Sequence, residues 1–147
     1  MAIIAAVMAI VSVYGNTTVT AQLLTQQDAS NKWNYYQAKA LRRYQSEVAA
    51  DIFKGMKDED RAKAYEANKQ RYEKEGEEIQ AEAKELTNKT IELGHKAHRL
   101  HIGEVFLEFG IVLSSLAILT RRELFWYASL ASGAAGSIIA ATAYLMH

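Results

Sequence analysis

The sequence predicts an all-α integral membrane protein: three transmembrane helices, with a long antiparallel, coiled-coil-like helical hairpin between the first and the second. Three observations predict it. Charge is segregated: of 17 Lys and Arg only Arg121 and Arg122 fall outside residues 32–99, and of 17 Asp and Glu only Glu104, Glu108 and Glu123 fall outside residues 28–92. What lies outside that charged middle forms three apolar blocks. Finally, the 147 residues include no Pro, so nothing forbids long uninterrupted helices.

The first block, residues 1–24, has no charged side chain. Its strongly apolar part ends at Tyr14, before Gly15-Asn16-Thr17-Thr18, so it spans a bilayer only if the helix continues to about Leu24. A bilayer core of roughly 30 Å needs about 20 helical residues. A cleaved signal peptide has a similar length, but no Lys or Arg precedes the block. A retained helix is therefore the reading, and a start directly inside the apolar block leaves room for a longer native N-terminus.

Residues 25–101 read as the extramembrane hairpin. Ala29, Trp33, Tyr36, Ala40, Tyr44, Val48 and Ile52 step by three or four and draw one apolar stripe. Residues 54–58, Lys-Gly-Met-Lys-Asp, carry the turn signal, with Gly55 as helix C-cap and Asp58 as N-cap. Beyond it Tyr65, Tyr72, Ile79, Leu86, Leu93 and Leu100 recur every seventh residue. Lys69, Gly76, Ala83, Thr90 and Ala97 follow at the second seam position. That is a coiled-coil seam, with small residues that let a partner helix approach closely. The natural partner is the Ala29–Ile52 stripe.

Residues 102–120 form the second span, 121–123 a short basic loop, and 124–147 the third. Short loops rich in Lys and Arg stay cytoplasmic. Arg121 and Arg122 thus place their loop inside, and the hairpin and His147 on the opposite, periplasmic side of a bacterial inner membrane. Lys96 and Arg99 at the hairpin's base count the other way. Phe125-Trp126-Tyr127 and Tyr144 suit the two interfacial aromatic belts.

Three constellations bear on function. Glu92, His95, His98, His101 and Glu104 recur every third residue. Glu-x-x-His is a di-metal motif when two copies face each other in a bundle. Here a period of three sweeps the side chains around the helix, so His95, His98 and His101 read either as a polar collar or as ligands shared between copies. Glu104 and Glu108 lie one turn apart in an apolar span, where ionisable groups are costly and suggest function. Asn16, Thr17, Thr20, Thr142 and Tyr144 lie at comparable depth as partners, and Glu108 is expected to be hydrogen-bonded or neutral. In the third span Ser129, Gly133, Ser137 and Ala141 repeat at spacing four, beside Ser132, Gly136 and Ala140. Small residues on two faces permit close helix contact in lipid and suggest an interface between copies.

Gly15-Asn16, Leu23-Leu24 and then the run Asp28-Ala29-Ser30-Asn31-Lys32-Trp33-Asn34-Tyr35-Tyr36-Gln37-Ala38-Lys39 resemble the opening of the bacterial domain-of-unknown-function 4337 (DUF4337) family. That resemblance implies one N-terminal membrane helix, a soluble helical insert and two C-terminal membrane helices, with no activity attached.

Several classes are disfavoured. With no Cys there is no disulfide, thiolate nucleophile or Cys-metal site. Balanced, interleaved charge gives no field to attract nucleic acid. Catalytic residues and cofactors are not expected. The expected function is a non-enzymatic structural one: a homo-oligomeric scaffold, or an accessory subunit of a larger membrane complex, with the lipid bilayer as solvent. The alternatives are an ion- or proton-conducting oligomer using Glu104 and Glu108, and a metal-binding subunit using the His95/His98/His101 collar.

Overall fold

The computed structural model describes residues 1–145. They form three helices, α1 (Ala2–Gly55), α2 (Glu59–Thr120) and α3 (Glu123–Thr142), and no strand among the described residues. All three are long and apolar enough to cross a membrane. The chain divides into two units: Met1–Leu23 with the chain from Thr90 onward, and Leu24–Lys89.

α1 runs through the polar residues after Tyr14 without a break. The hydroxyls of Thr17, Thr18 and Thr20 donate to the carbonyls of Val13, Tyr14 and Asn16 at 2.8, 2.8 and 2.9 Å. Each Thr thus satisfies its own polar group on the preceding turn, and the helix has no reason to end there.

The turn lies where the sequence places it, but Gly55 does not take the left-handed position. Lys57 does, at φ 60°. The Lys57 N–H donates to the Lys54 carbonyl at 3.1 Å and the Asp58 N–H to that of Phe53 at 3.0 Å, the bond pair of a Schellman cap. Gly55 remains the last residue of the helix proper. Asp58 caps α2 as its side chain suggests, accepting from the Arg61 N–H at 3.2 Å.

In the unit of residues 24–89, Gly76, Ile79 and Ala83 of α2 are buried, as are Ala29 and Ala50 of α1. The Tyr36 ring lies 3.8 Å from where a Cβ on Gly76 would stand, so the small seam residue admits an aromatic. Cross-helix pairs fall along the two helices in order: Lys32–Glu82, Lys39–Glu75 (2.5 Å), Arg43–Glu73 (3.2 Å), Lys69–Glu47 (2.9 Å) and Lys54–Glu66 (3.1 Å). The Trp33 indole N–H donates to the Thr87 hydroxyl at 3.2 Å.

The distal half of the expected α1 stripe is not the buried one. Tyr44, Val48 and Ile52 are exposed, at 62%, 40% and 53%. Steps of four overshoot a full helical turn by about 40° each. From Ala40 to Ile52 three such steps carry the stripe off the contact face. The alternating four-three step holds it and runs Ala29, Trp33, Tyr36, Ala40, Arg43, Glu47, Ala50, so charged residues fill seam positions toward the turn. Tyr65, at the seam's distal end, is itself on the edge of exposure and stacks on Phe53 at 5.5 Å.

Lys39 is buried, with its ammonium 5.2 and 5.4 Å from the ring centres of Tyr35 and Tyr72. Its hydrogen bond to Glu75 holds the ammonium above its ordinary pKa and the Glu75 carboxyl below the usual carboxylate range. Glu47 and Lys69 shift each other in the same two directions. A depressed carboxyl stabilises the fold above its unfolded pKa, and that contribution is lost as pH falls through the folded value. A raised ammonium contributes below its unfolded pKa, and the contribution is lost as pH rises through the folded value. The melting temperature of this unit should therefore hold a plateau across neutral pH and fall on both flanks. Replacing Lys39 and Lys69 by Met should flatten both flanks in a pH series of thermal melts.

The other unit is a three-helix bundle. Its core is Val11 of α1, Leu100 and Leu107 of α2, and Ala140 of α3 with Ala143 just beyond it; Ile4, Val7 and Met8 pack against it. α2 and α3 approach at glycine. A Cβ on Gly136 would stand 2.7 Å from the Gly103 carbonyl oxygen, and one on Gly110 would stand 3.3 Å from the Gly133 nitrogen. The Ser129 and Ser132 hydroxyls donate across this contact to the carbonyls of Gly110 and Phe106, at 2.7 and 2.6 Å. α2 and α3 are joined by two residues, Arg121 at φ 53° and an extended Arg122. The sequence carries the third span on to Met146 and His147, which lie outside the described residues.

Candidate functional site

Asn16, Thr17, Thr18, Gln22, Lys96, His98, His101 and Glu104 of the three-helix unit gather where the apolar stretches of α1 and α2 give way to charge. Two grooves flank this collar.

One groove, of about 280 Å³, is lined by Asn16, Gln22, His98, His101 and Glu104. Gly94 lets the Gln22 amide lie close, since a Cβ there would stand 2.9 Å from Gln22 Nε2. The His101 Nδ1 lies 3.8 Å from the Glu104 carboxylate, one turn away. Stepping by three turns each side chain back by about 60°, and His95 does not line this groove. Among the described residues, no group of three or more His, Asp or Glu is placed to hold a metal ion.

The other groove is amphipathic. Its polar end, about 220 Å³, is lined by Lys96, Thr17 and Thr18; its apolar end, about 370 Å³, by Ile10, Val11, Ala140 and Ala141. Tyr14, Leu100 and Tyr144 line both ends. The two tyrosine rings meet edge-on at 5.8 Å. One turn along α2 from Lys96, the Arg99 guanidinium donates to the Thr142 hydroxyl at 3.3 Å. Among the described residues neither Lys96 nor Arg99 has a carboxylate within ion-pair distance, whereas Lys32, Lys39, Arg43, Lys54 and Lys69 all do.

The two carboxylates of the apolar part of α2 have different surroundings. Glu104 is half-buried in the first groove beside Asn16. Glu108 is exposed, on a stretch that also exposes Phe106, Phe109 and Val112. Among the described residues it has neither a hydrogen bond nor an ion pair. Thr17 and Thr20 donate to their own helix, and Thr142 receives Arg99.

Most of the small residues of α3 are occupied within the chain, and Ala141 is exposed. Ser129, Gly133 and Gly136 are buried, and Ser132 and Ser137 half-buried. Ser129, Ser132 and Gly136 face α2, while Gly133 also meets Ile4 of α1, with 3.1 Å between its Cβ position and Ile4 Cδ1. Ser137 donates back to the Gly133 carbonyl at 2.8 Å. Ser129, Ser132, Gly133 and Gly136 thus serve two neighbours in one chain. Sequence reasoning missed Gly103, Gly110 and Leu107 on the other side of this contact. Continuing the seven-residue seam past Leu100 would have reached Leu107, which is fully buried, and Gly103 and Gly110 repeat at that same interval.

No curated protein and no solved structure matches the chain. A family model described as a domain of unknown function (DUF4337) matches residues 1–146, and the chain belongs to that family.

Proposed function

We propose that this protein is a non-enzymatic structural component of a bacterial inner membrane: three spans carrying an antiparallel helical hairpin on the periplasmic side, assembled with copies of itself or within a larger membrane complex. The observation that carries this reading is Glu108. A carboxylate on the outward face of an apolar helix, among exposed Phe106, Phe109 and Val112, is costly in lipid unless something pairs with it. Its own chain supplies no partner among the described residues, and a second chain packed on this face would supply one. The cross-helix ion pairs of residues 24–89 support a shape-holding role, and the Arg121–Arg122 loop supports the orientation.

Light scattering and co-purification in mild detergent test this. Wild type should run larger than one chain, Glu108→Gln should keep the assembly through its amide, and Glu108→Leu should release single chains. A wild-type protein that runs as a single chain with nothing bound would refute the proposal. The groove that joins Asn16, His98, His101 and Glu104 favours a second reading, a conducting oligomer. That reading requires a cation or proton flux in vesicles that Glu104→Gln or Glu108→Gln abolishes while the assembly stays intact.

A further inference from the structure

We infer that the amphipathic groove between α1, α2 and α3 is a binding site for one anionic phospholipid, with the phosphate at Lys96 and an acyl chain along Val11, Ala140 and Ala141. This rests on the membrane reading above. The groove has the two chemistries of such a lipid in series. The polar end offers the Lys96 ammonium and the Thr17 and Thr18 side chains. The apolar end is a furrow with room for part of an acyl chain, lined by Ile10, Val11, Leu100, Ala140 and Ala141, with Ser137, whose hydroxyl is bonded within its own helix, beside them. Tyr14 and Tyr144 stand between them, where an amphipathic ring suits the boundary between headgroup and hydrocarbon.

Charge selects the class of lipid. Lys32, Lys39, Arg43, Lys54 and Lys69 are each matched by a carboxylate on the facing helix, whereas, among the described residues, Arg42 and Lys57 are not. Lys96, which lines the polar end of the groove, is not so matched among the described residues; Arg99, one turn along α2, has no carboxylate partner there either and donates to Thr142. A basic pocket between membrane helices is the arrangement that holds an anionic headgroup. The other groove, which carries Glu104 and two histidines, lacks this pairing of a cation with an apolar furrow and serves as an internal control.

The test is native mass spectrometry of the full chain in mild detergent, with phosphatidylglycerol or phosphatidylcholine of matched acyl chains added. Glycerol phosphate serves as the headgroup alone. One phosphatidylglycerol per chain should be retained, about fivefold more than phosphatidylcholine, the preference expected of one cation near the phosphate. Lys96→Gln should reduce that retention to the phosphatidylcholine level, and Lys96→Arg should restore it. Ala141→Trp, which fills the furrow from an exposed position, should lower retention of both lipids, and His98→Gln should change neither. Glycerol phosphate should leave no adduct. Equal retention of the two lipids, an unchanged Lys96→Gln, or an adduct with glycerol phosphate as strong as with lipid would overturn the site. Flotation with phosphatidylcholine vesicles separates the two levels. A chain that fails to float refutes the membrane reading and the lipid site together. A chain that floats without preferring phosphatidylglycerol refutes the lipid site alone.

Discussion

Gly136→Leu should unfold the three-helix unit rather than loosen contacts between chains. At Gly136 even a methyl would stand 2.7 Å from the Gly103 carbonyl oxygen and 2.9 Å from Leu107 Cγ. Backbone cannot yield there as the end of a long side chain can, so α3 must move off α2. The Ser129 and Ser132 hydrogen bonds to the carbonyls of Gly110 and Phe106 then break. Overpacking of this kind, with bonds lost besides, should cost about 3 kcal/mol or more. Thermal melting of the full chain in mild detergent measures it. Gly55→Ala is the control: nothing lies within 4 Å of its Cβ position, so removing a helical glycine should be neutral or gain up to about 1 kcal/mol. If Gly136→Leu instead yields single chains that melt as wild type does, the glycine contact is between chains.

Ile79→Asp should be the most damaging single change in residues 24–89. Ile79 is 8% exposed, and Ala83, one turn along α2, is completely buried. The substitution removes a buried aliphatic side chain and puts a carboxylate in its place, on a helix that already carries Glu75, Glu78 and Glu82 nearby. Loss of about 3–5 kcal/mol is expected, against about 1 kcal/mol for Ile79→Val. Hydrogen exchange of the full chain should show faster exchange over residues 60–90 in the Asp variant and little change in the Val variant. Equal effects of the two would mean that Ile79 is not in a packed seam.

Much of the architecture is legible in the sequence because it depends on local properties. Long apolar stretches, the absence of Pro and the Lys54–Asp58 turn signal suffice for three helices, since helix formation is governed by residues within a few positions of each other. The seven-residue period likewise marks Ile79, Gly76 and Ala83 as an inward face, because that face is a property of one helix. Lys57 in the left-handed position shows where even local reasoning stops. The glycine two residues earlier is the better candidate by conformational freedom, yet the capping bonds to Phe53 and Lys54 set the register of the turn.

What only the tertiary structure decided is which neighbour each face meets. The small residues of α3 read the same whether their partner is a second chain or α2 and α1 of the same chain. Only the Gly103–Gly136 and Gly133–Ile4 approaches distinguish the two. Glu104 and Glu108 are one turn apart and chemically alike, but one lines a polar groove beside Asn16 and the other faces outward. Lys96 is an ordinary lysine in the sequence, and the groove it lines with Thr17 and Tyr144 is built from three segments far apart in the chain. Periodicity states which residues share a side of a helix. The partner on that side is fixed by how closely two backbones can approach, and that distance is a property of the pair.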